Sequence, residues 1–339
     1  MFPRFTRRHL CALALCAAAA PVLAQAPAAA TASAAASTGS AQAYPDRPIT
    51  LVVPFAAGSG TDAVARIVAQ ELGKRLKQPV VIDNKAGANA QIGVEFAAKA
   101  KPDGYTLLMA TATSHSANPH LYKALRYDPI RDFTPIARTG ILPFVLVTKP
   151  SLPVKNVKEL IAYAKANPGK VSFAAPNSTS MLASEALGKM AGVELINVAY
   201  KSAPQAITDL LAGHLDMYVI DFAVGLPSIR SGKVRPLGLT LAQRSRLLPD
   251  VPPLADTIPG FDLSPWNGIF GPANLPKPIA DRIATELRAV LADKETQEKF
   301  AVIGFDVLPS KSPEEFARYV SDQLAHWGKM VKLTGVQPE

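Results

Sequence analysis

Short, continuously apolar runs alternate with amphipathic segments along most of this 339-residue chain. The runs at residues 49–55, 79–83 and 105–111 are rich in Val, Ile and Leu. Between the first two of them, residues 61–76 place apolar side chains at helical spacing. Continuously apolar strands separated by helices are typical of parallel sheets that are covered on both faces. The alternation therefore predicts an α/β fold.

The same alternation continues to the end of the chain. Further strands are predicted at residues 144–149, 170–175, 194–200, 216–221, 234–240 and 267–272. Further helices are predicted at residues 158–166, 181–192, 204–213, 277–293 and 312–327. In the last helix, Ser312 at the N-cap and Glu315 three residues later form the sequence pattern of a capping box.

Two lobes fit these elements and the chain length. Residues 141–153 and the Pro-rich stretch 247–272 are predicted to carry the chain from one lobe to the other and back. The first lobe is then discontinuous, with residues 44–145 and 266–339, and the second consists of residues 146–265. We expect a cleft between the two lobes.

The N-terminal segment is typical of an export signal. Basic residues precede an apolar stretch at residues 10–24 that is too short for a membrane-spanning helix, and small residues suited to a signal peptidase follow. We predict a signal peptide at residues 1–24 and a disordered linker rich in Ala, Ser and Thr at residues 25–43. Both cysteines, Cys11 and Cys16, lie in the signal. The exported chain therefore has no disulfide, thiol nucleophile or cysteine-ligated metal.

The formal net charge of +9 is spread along the chain and includes no long basic run. Nucleic-acid binding proteins concentrate basic residues in a stripe, often with aromatic residues between them. We therefore expect no nucleic-acid partner, only a mild attraction to anions.

A Gly-rich turn joins the first strand to the first helix in the sequence VVPFAAGSGTDAVAR, residues 52–66. Small residues allow a ligand to approach the backbone, and the N–H groups and dipole of a helix N-terminus attract an anion. The hydroxyls of Ser59 and Thr61 add donors, and Asp62 lies in the first turn, where it can cap N–H groups. The turn therefore predicts an anion site, with a tight connection to a capped helix as the structural alternative.

Other Gly-rich motifs fit this turn less well. Residues 58–63 match the dinucleotide fingerprint, and Asp83 follows at a distance suited to a ribose. An exported chain meets little nicotinamide cofactor, so we expect no cofactor. A P-loop is excluded because no Gly-Lys-Ser/Thr sequence follows, and the spacing around Ser59 excludes a nucleophile elbow.

Three further predicted strands end in small or hydroxyl-bearing residues. These loops are residues 110–119 in the first lobe and residues 174–181 and 219–227 in the second. Ligands of open α/β sheets bind at the carboxyl ends of strands. Two such loops from each lobe, facing one cleft, predict a clamp for a small anion.

Sequence motifs from residue 44 to the C-terminus also follow the order of motifs in a known family. They include YPDRPITLVVPFAAGSGTDAVAR, VVIDNKAGANAQIG, KPDGYTLLMATATSHSANPHLYK, YDPIRDFTPIA, AYAKANPGKVSFA, ITDLLAGHLDM and GLPSIRSGKVRPLGLT. In these stretches the chain resembles the Bug-type periplasmic receptors of tripartite tricarboxylate transporters. The resemblance implies a two-lobed periplasmic binding protein, a Venus flytrap in which each lobe is a sheet with helices on both faces. It implies a periplasmic protein without catalytic activity, which binds a small organic acid and delivers it to membrane permease subunits; we expect a monomer.

The resemblance also implies which residues contact the ligand, whose carboxylate would be held largely by backbone N–H groups and ordered water. They are Phe55, Ala57, Gly58, Ser59 and Asp62 in the first loop, Thr111, Thr113 and Ser114 in the second, Asn177, Ser178, Thr179 and Ser180 in the third, and Asp221, Phe222 and Ala223 in the fourth. Two departures from the family pattern are Ser59 in place of a second glycine and Met181 near the position of a histidine. They leave a dicarboxylate, a tricarboxylate, an aromatic acid and an amino acid open as ligands. Tyr200 and Trp266 either line the cleft or pack between the lobes.

Two other chemistries can be written for single residues. Ser114, His115 and Asp221 could form the triad of an exported hydrolase that acts on small carboxylates. His115 and His120 could share a metal, but no carboxylate cluster assists them, and we expect no metal site. A receptor that signals through a partner, instead of feeding a permease, is a further possibility.

Overall fold

A computed structural model describes residues 44–338 of the protein. The predicted signal peptide and linker, residues 1–43, lie outside the described residues. The strands are β1 Ile49–Val53, β2 Val80–Asn84, β3 Thr106–Thr111, β4 Phe133–Ile141, β5 Phe144–Thr148, β6 Val171–Ala175, β7 Leu195–Ala199, β8 Met217–Asp221, β9 Arg235–Leu239, β10 Trp266–Pro272 and β11 Asp306–Val307. Every predicted strand is present, and the sequence pattern does not predict β4 and the short β11.

Helices connect most of these strands. They are α1 Gly60–Leu76, α2 Gln91–Ala98, α3 Asn118–Leu121, α4 Val157–Ala166, α5 Ser178–Ala191, α6 Ala203–Leu211, α7 Phe222–Arg230, α8 Lys277–Ala292, α9 Lys294–Val302 and α10 Pro313–Thr334. A π-helical turn, Thr113–Ala117, follows β3, and a 3₁₀ turn spans Leu254–Asp256. Within residues 44–338, no helix has both the length and the apolar character needed to cross a membrane.

The strands form two sheets. The first has the order β11-β4-β10-β3-β1-β2 and the second the order β7-β6-β8-β5-β9. The chain passes from the first sheet to the second between Ile141 and Phe144, and it returns between Leu239 and Trp266. These passages fall within or next to the two predicted crossings, and the predicted lobe boundaries stay a prediction.

The predicted parallel pairing is present between β1 and β2, β1 and β3, β6 and β7, and β6 and β8, but both sheets are mixed. In the first sheet β10 pairs antiparallel with β3 and β4, and in the second β5 pairs antiparallel with β8 and β9. Both β5 and β10 are the first strand after a crossing. Because β4 and β9 end at the edge where the sheets face each other, the next strand begins at that edge and runs in the opposite direction. Accordingly, Trp266 at the start of β10 pairs with Ile141 at the end of β4.

Alternate residues of each strand are buried on opposite faces of the sheet. Leu51 and Val53 of β1 belong to a hydrophobic cluster with α1 and α8, whereas Val52 belongs to one with α2. In β5, Leu146 lies in the cluster of α5 and Val147 in that of α6. Both sheets are therefore covered by helices on two faces.

One hydrophobic cluster contains residues of both sheets. Val52 and Phe270 of the first sheet and Phe173 and Met217 of the second belong to it. Helix α10 packs against α5 as well as against α3 and β4, and Trp327 of α10 is fully buried in this cluster. Apolar packing therefore joins the two sheets in addition to the two crossings.

Replacing Trp327 by alanine removes a large side chain from the cluster that joins the sheets. We expect the free energy of unfolding to fall by about 3–5 kcal/mol, measured by urea denaturation. Leu333→Ala on the same helix is the control, because Leu333 is 40% exposed and its loss should cost less than about 1 kcal/mol. Equal losses at the two positions would contradict the role given to α10.

Candidate functional site

A cavity of about 990 Å³ lies where the two sheets face each other. Its wall contains residues that follow β1, β2, β3, β4, β6 and β7, together with the last residue of β8. Phe144 and Trp266, the first residues of β5 and β10, also belong to the wall. All four loops predicted from the sequence contribute, and the ends of β2, β4 and β7 add three more. The cavity thus lies at the carboxyl ends of strands, where ligands of α/β proteins bind.

Ser59 builds the turn that precedes α1. Its Oγ, at the N-cap, accepts a hydrogen bond from the N–H of Asp62 at 3.3 Å. Its own N–H donates to the carbonyl of Ala56 at 3.1 Å. The preceding Gly58 has a φ of 79°, a conformation that favours glycine. The Ser59 N–H is therefore used within the turn, although its side chain reaches the cavity wall.

Asp62 is buried behind the same turn and fastens it. Its Oδ2 accepts hydrogen bonds from the N–H of Gly58 at 3.0 Å and from Nε of Arg66 at 2.9 Å. Its Oδ1 accepts one from Nδ2 of Asn84 at 2.9 Å. Burial by itself would raise the pKa of Asp62, but these hydrogen bonds outweigh burial and lower the pKa. The charge of Asp62 is thus neutralised locally, outside the cavity wall.

Near the start of α1 and of α5, three N–H groups make no hydrogen bond to the protein within residues 44–338. They are the N–H groups of Gly60, Thr61 and Thr179. All three residues belong to the cavity wall. Because a helix N-terminus carries partial positive charge, the two helices offer an anion a set of unused donors from opposite sheets.

Residues 87–90, after β2, form a left-handed turn that the sequence pattern does not predict. The φ values are 130° for Gly87, 43° for Ala88, 53° for Asn89 and 75° for Ala90. Left-handed conformations cost residues other than glycine roughly 1–2 kcal/mol each. Backbone strain of this kind is concentrated at binding and catalytic sites, and all four residues belong to the cavity wall.

A ring of hydrogen bonds joins this turn to helix α5. The side chain of Asn89 accepts from the N–H of Ser178 at 3.0 Å and donates to its Oγ. Ser178 Oγ donates to Oδ1 of Asn118 at 2.7 Å, and Nδ2 of Asn118 donates to the carbonyl of Asn89 at 2.7 Å. The hydroxyls of Thr113 and Thr179 add a hydrogen bond of 3.0 Å between the sheets. Ser178 therefore connects the two sheets and does not reach the cavity wall.

Asp221 brings a carboxyl group to the cavity wall beside α1. It ends β8 and caps α7, with Oδ1 accepting a hydrogen bond from the N–H of Val224 at 3.0 Å. Its carboxyl group lies against Gly60, because a Cβ atom on Gly60 would overlap it. Asp221 is only 5% exposed, and burial raises the pKa of its carboxyl group to about 6.

The predicted site residues fall into two sets. Those in the cavity wall are Phe55, Ser59, Thr111, Thr113, Asn177, Thr179 and Asp221. Those outside the wall are Ala57, Gly58, Asp62, Ser114, Ser178, Ser180, Phe222 and Ala223. The second set includes residues that hold the loops: Ser114 Oγ bonds to the backbone of Thr111, and Phe222 packs against Gly304. A loop sequence does not indicate which of its residues face inwards.

Sequence reasoning misses part of the wall. The unpredicted wall residues include Ala86–Ala90, Tyr122, Leu142, Phe144, Asn197, Lys201, Ser202, Ala203 and Asn267. Ser202 caps α6, and a Ser before Ala-Pro at a helix start could have marked this strand end. Tyr200 and Trp266 both line the cavity. Their polar atoms bond to Asp209 and Ser116, so their rings offer mainly apolar surface.

The hydrolase triad is not assembled. Ser114 Oγ lies 2.9 Å from Nδ1 of His115, but His115 is fully buried between the rings of Phe133 and Phe270, with centroids 4.8 and 4.6 Å away. Burial lowers the pKa of His115 to about 3. Asp221 lies in the cavity wall and bonds to neither residue, so the three groups cannot act together.

Neither a shared metal nor a bound dinucleotide matches the geometry. Nε2 of His120 bonds to the carbonyl of Leu324 and not to a site shared with His115. Nowhere in residues 44–338 do three His, Cys, Asp or Glu side chains come together as a metal site requires. Asp83, the ribose partner of the dinucleotide motif, pairs with Lys85 at 3.1 Å and is not part of the cavity wall.

Several known proteins are similar to this chain in both sequence and fold. A family model described as the tripartite tricarboxylate transporter family receptor matches residues 64–336. The protein BugT of Bordetella pertussis strain Tohama I is 35% identical over 302 residues, which cover 88% of this chain and 92% of BugT. The structure of R. palustris Rpa4515 with adipate has a TM-score of 0.85 and 33% identity, covering 87% of this chain and 100% of that one.

A second structure is similar. MatC (Rpa3494) from Rhodopseudomonas palustris, with bound malate, has a TM-score of 0.80 and 29% identity, covering 85% of this chain and 100% of that one. The predicted α/β fold of a two-lobed periplasmic binding protein is confirmed. The family is one of receptors and not of enzymes. The family model matches most of this chain, and the chain is 35% identical to BugT. This chain therefore belongs to the receptors of the tripartite tricarboxylate transporter family.

Proposed function

We propose that this protein is a periplasmic receptor that captures a small organic carboxylate in the cavity between its sheets. It acts as a monomer and delivers the ligand to the membrane permease subunits of a tripartite transporter. The observation that carries the proposal is the set of unused N–H donors of Gly60, Thr61 and Thr179 in the cavity wall. The adipate and malate in the two related structures, both small carboxylates, support the same class of ligand.

The charges of the wall favour a small carboxylate over a polyphosphate. Lys201 is the only cationic side chain among the described wall residues, and it is exposed. Attraction to an anion therefore comes mainly from helix N-termini and hydroxyls, including those of Ser59, Thr111 and Thr113. Partial charges of this size suit one carboxylate group better than several phosphates, and the cavity volume is typical of small-molecule sites.

A ligand held by both α1 and α5 would stabilise the arrangement in which the sheets face each other. The hydrogen bonds of Asn89 with Ser178 and of Thr113 with Thr179 belong to this arrangement. Contacts that exist in only one arrangement shift the population towards it. Ligand capture and the contacts between the sheets are therefore coupled in the proposed receptor.

A thermal-shift series tests the class of ligand. We expect at least one small mono- or dicarboxylate to raise the melting temperature by several degrees, because about 100 Kd of ligand stabilises a protein by about 2.7 kcal/mol. The amide of the same acid is the control, since it has the same shape without the charge and should give no shift. Equal shifts of the melting temperature with acid and amide, or no shift with any acid, would contradict the proposal.

A methyl group at Gly60 tests whether α1 and Asp221 form the site together. The Cβ of Gly60→Ala would overlap the Asp221 carboxyl group and lie 2.7 Å from Cδ2 of Leu142. We expect the affinity for the best acid to fall at least about tenfold in calorimetry. The free energy of unfolding should also fall, by about 1–3 kcal/mol, because the added Cβ overpacks this contact, so the affinity is measured well below the melting temperature of the variant.

Gly73→Ala, further along α1, is the matched control and should leave the affinity unchanged, because Gly73 lies outside the cavity wall. Unaltered binding by both variants would show that the ligand does not depend on the contact between α1 and Asp221.

A further inference from the structure

The Asp221 carboxyl group is only partly used by the protein. Oδ1 accepts the hydrogen bond from Val224, and the N–H groups of Asp221 and Ala223 also stabilise the carboxylate. Within residues 44–338, Oδ2 accepts no hydrogen bond of normal geometry, and the residue lines the cavity. The residue is 95% buried. Oδ2 is accessible from the cavity, so a ligand bound there can donate a hydrogen bond to it, and hydrogen bonds to charged groups are stronger than those between neutral groups.

The position of the carboxyl group, whose Oδ1 lies next to Gly60, relates it to the proposed ligand. The carboxyl group of Asp221 touches Gly60, whose N–H group, with that of Thr61, has no protein acceptor. A ligand carboxylate bound to these two N–H groups would therefore lie beside Asp221. Two carboxylates in contact repel strongly away from bulk water, so a hydrogen-bond donor must lie between them.

We infer that Asp221 selects ligands with a hydroxyl or ammonium group on the carbon next to the carboxylate bound by Gly60 and Thr61. This inference rests on the proposed function. A donor on that carbon is close enough to Asp221 to form a direct hydrogen bond. It then donates to Oδ2, while the N–H groups of Gly60 and Thr61 donate to the ligand carboxylate. The preferred ligands are therefore 2-hydroxy and 2-amino acids, and the corresponding unsubstituted acids bind more weakly.

The test uses calorimetry at pH 7.5 with pairs of acids that differ by one hydroxyl group. The pairs are malate and succinate, 2-hydroxyglutarate and glutarate, and lactate and propionate. In any pair that binds, we expect the hydroxy acid to bind at least about tenfold more tightly, since a hydrogen bond to a charged group contributes about 1.5–3 kcal/mol. In Asp221→Asn the ratio should fall below about threefold. The amide Nδ2 can donate to the carboxylate of the unsubstituted acid and thus raises its affinity.

Asp221→Asn should fold, because asparagine is as good an N-cap as aspartate. Its melting temperature without ligand should be no lower than that of the wild type, because the wild-type carboxylate is disfavoured by burial at this pH. Asp281→Asn on α8 is the matched control: Asp281 is half-exposed, pairs with Lys277 and lies outside the cavity wall, so the acid pairs should keep the wild-type ratio.

Equal affinities within every pair that binds would overturn the inference and leave the receptor function intact. They would mean that a water molecule, or a proton on Asp221 itself, separates the two carboxylates. An unchanged ratio in Asp221→Asn would also overturn it, because the preference would then come from another group. Failure of all six acids and of a wider acid screen to bind would instead contradict the proposed function.

Discussion

The direction in which the chain crosses between its sheets determines where every polar loop lies. Both crossings leave from the carboxyl end of a strand, so β5 and β10 enter their sheets at the cavity edge and run away from it. The other main strands keep their carboxyl ends at that edge. The carboxyl ends of seven strands and the first residues of β5 and β10 therefore surround one cavity, and loops that are distant in sequence meet there.

In the turn at residues 58–62, the charged side chain that holds the turn together is kept apart from the groups that face the cavity. Asp62 is fully engaged by Gly58, Arg66 and Asn84 behind the turn, so the pair of Asp62 and Arg66 adds no net charge near the cavity. On the side of the turn that faces the cavity, α1 presents the backbone of its first residues. Partial charges of the helix then act on whatever occupies the cavity, and the exposed Lys201 is the only cation among the wall residues that the structure describes.

Much of the fold could be predicted from the sequence, because apolar periodicity and caps are local signals. Ser312 caps α10 as predicted, and the predicted strands are present. The antiparallel strands could not be predicted, because strand direction depends on where the chain crosses. Within the site, the pattern identified the loops but not their inward residues, and the left-handed turn at residues 87–90 depends on hydrogen bonds from Ser178, which is remote in sequence.

Because helix N-termini donate the hydrogen bonds to the anion, the ligand preference of such a receptor can change in a particular way. Main-chain N–H groups are present whatever side chains the helix carries, proline excepted. Substitutions at Tyr200, Phe144 or Asn197 can therefore alter the shape and polarity of the cavity while the affinity for acids as a class is retained. A duplicated copy of the gene could therefore evolve affinity for a different organic acid through a few point mutations, while its main-chain N–H groups continue to bind the carboxylate.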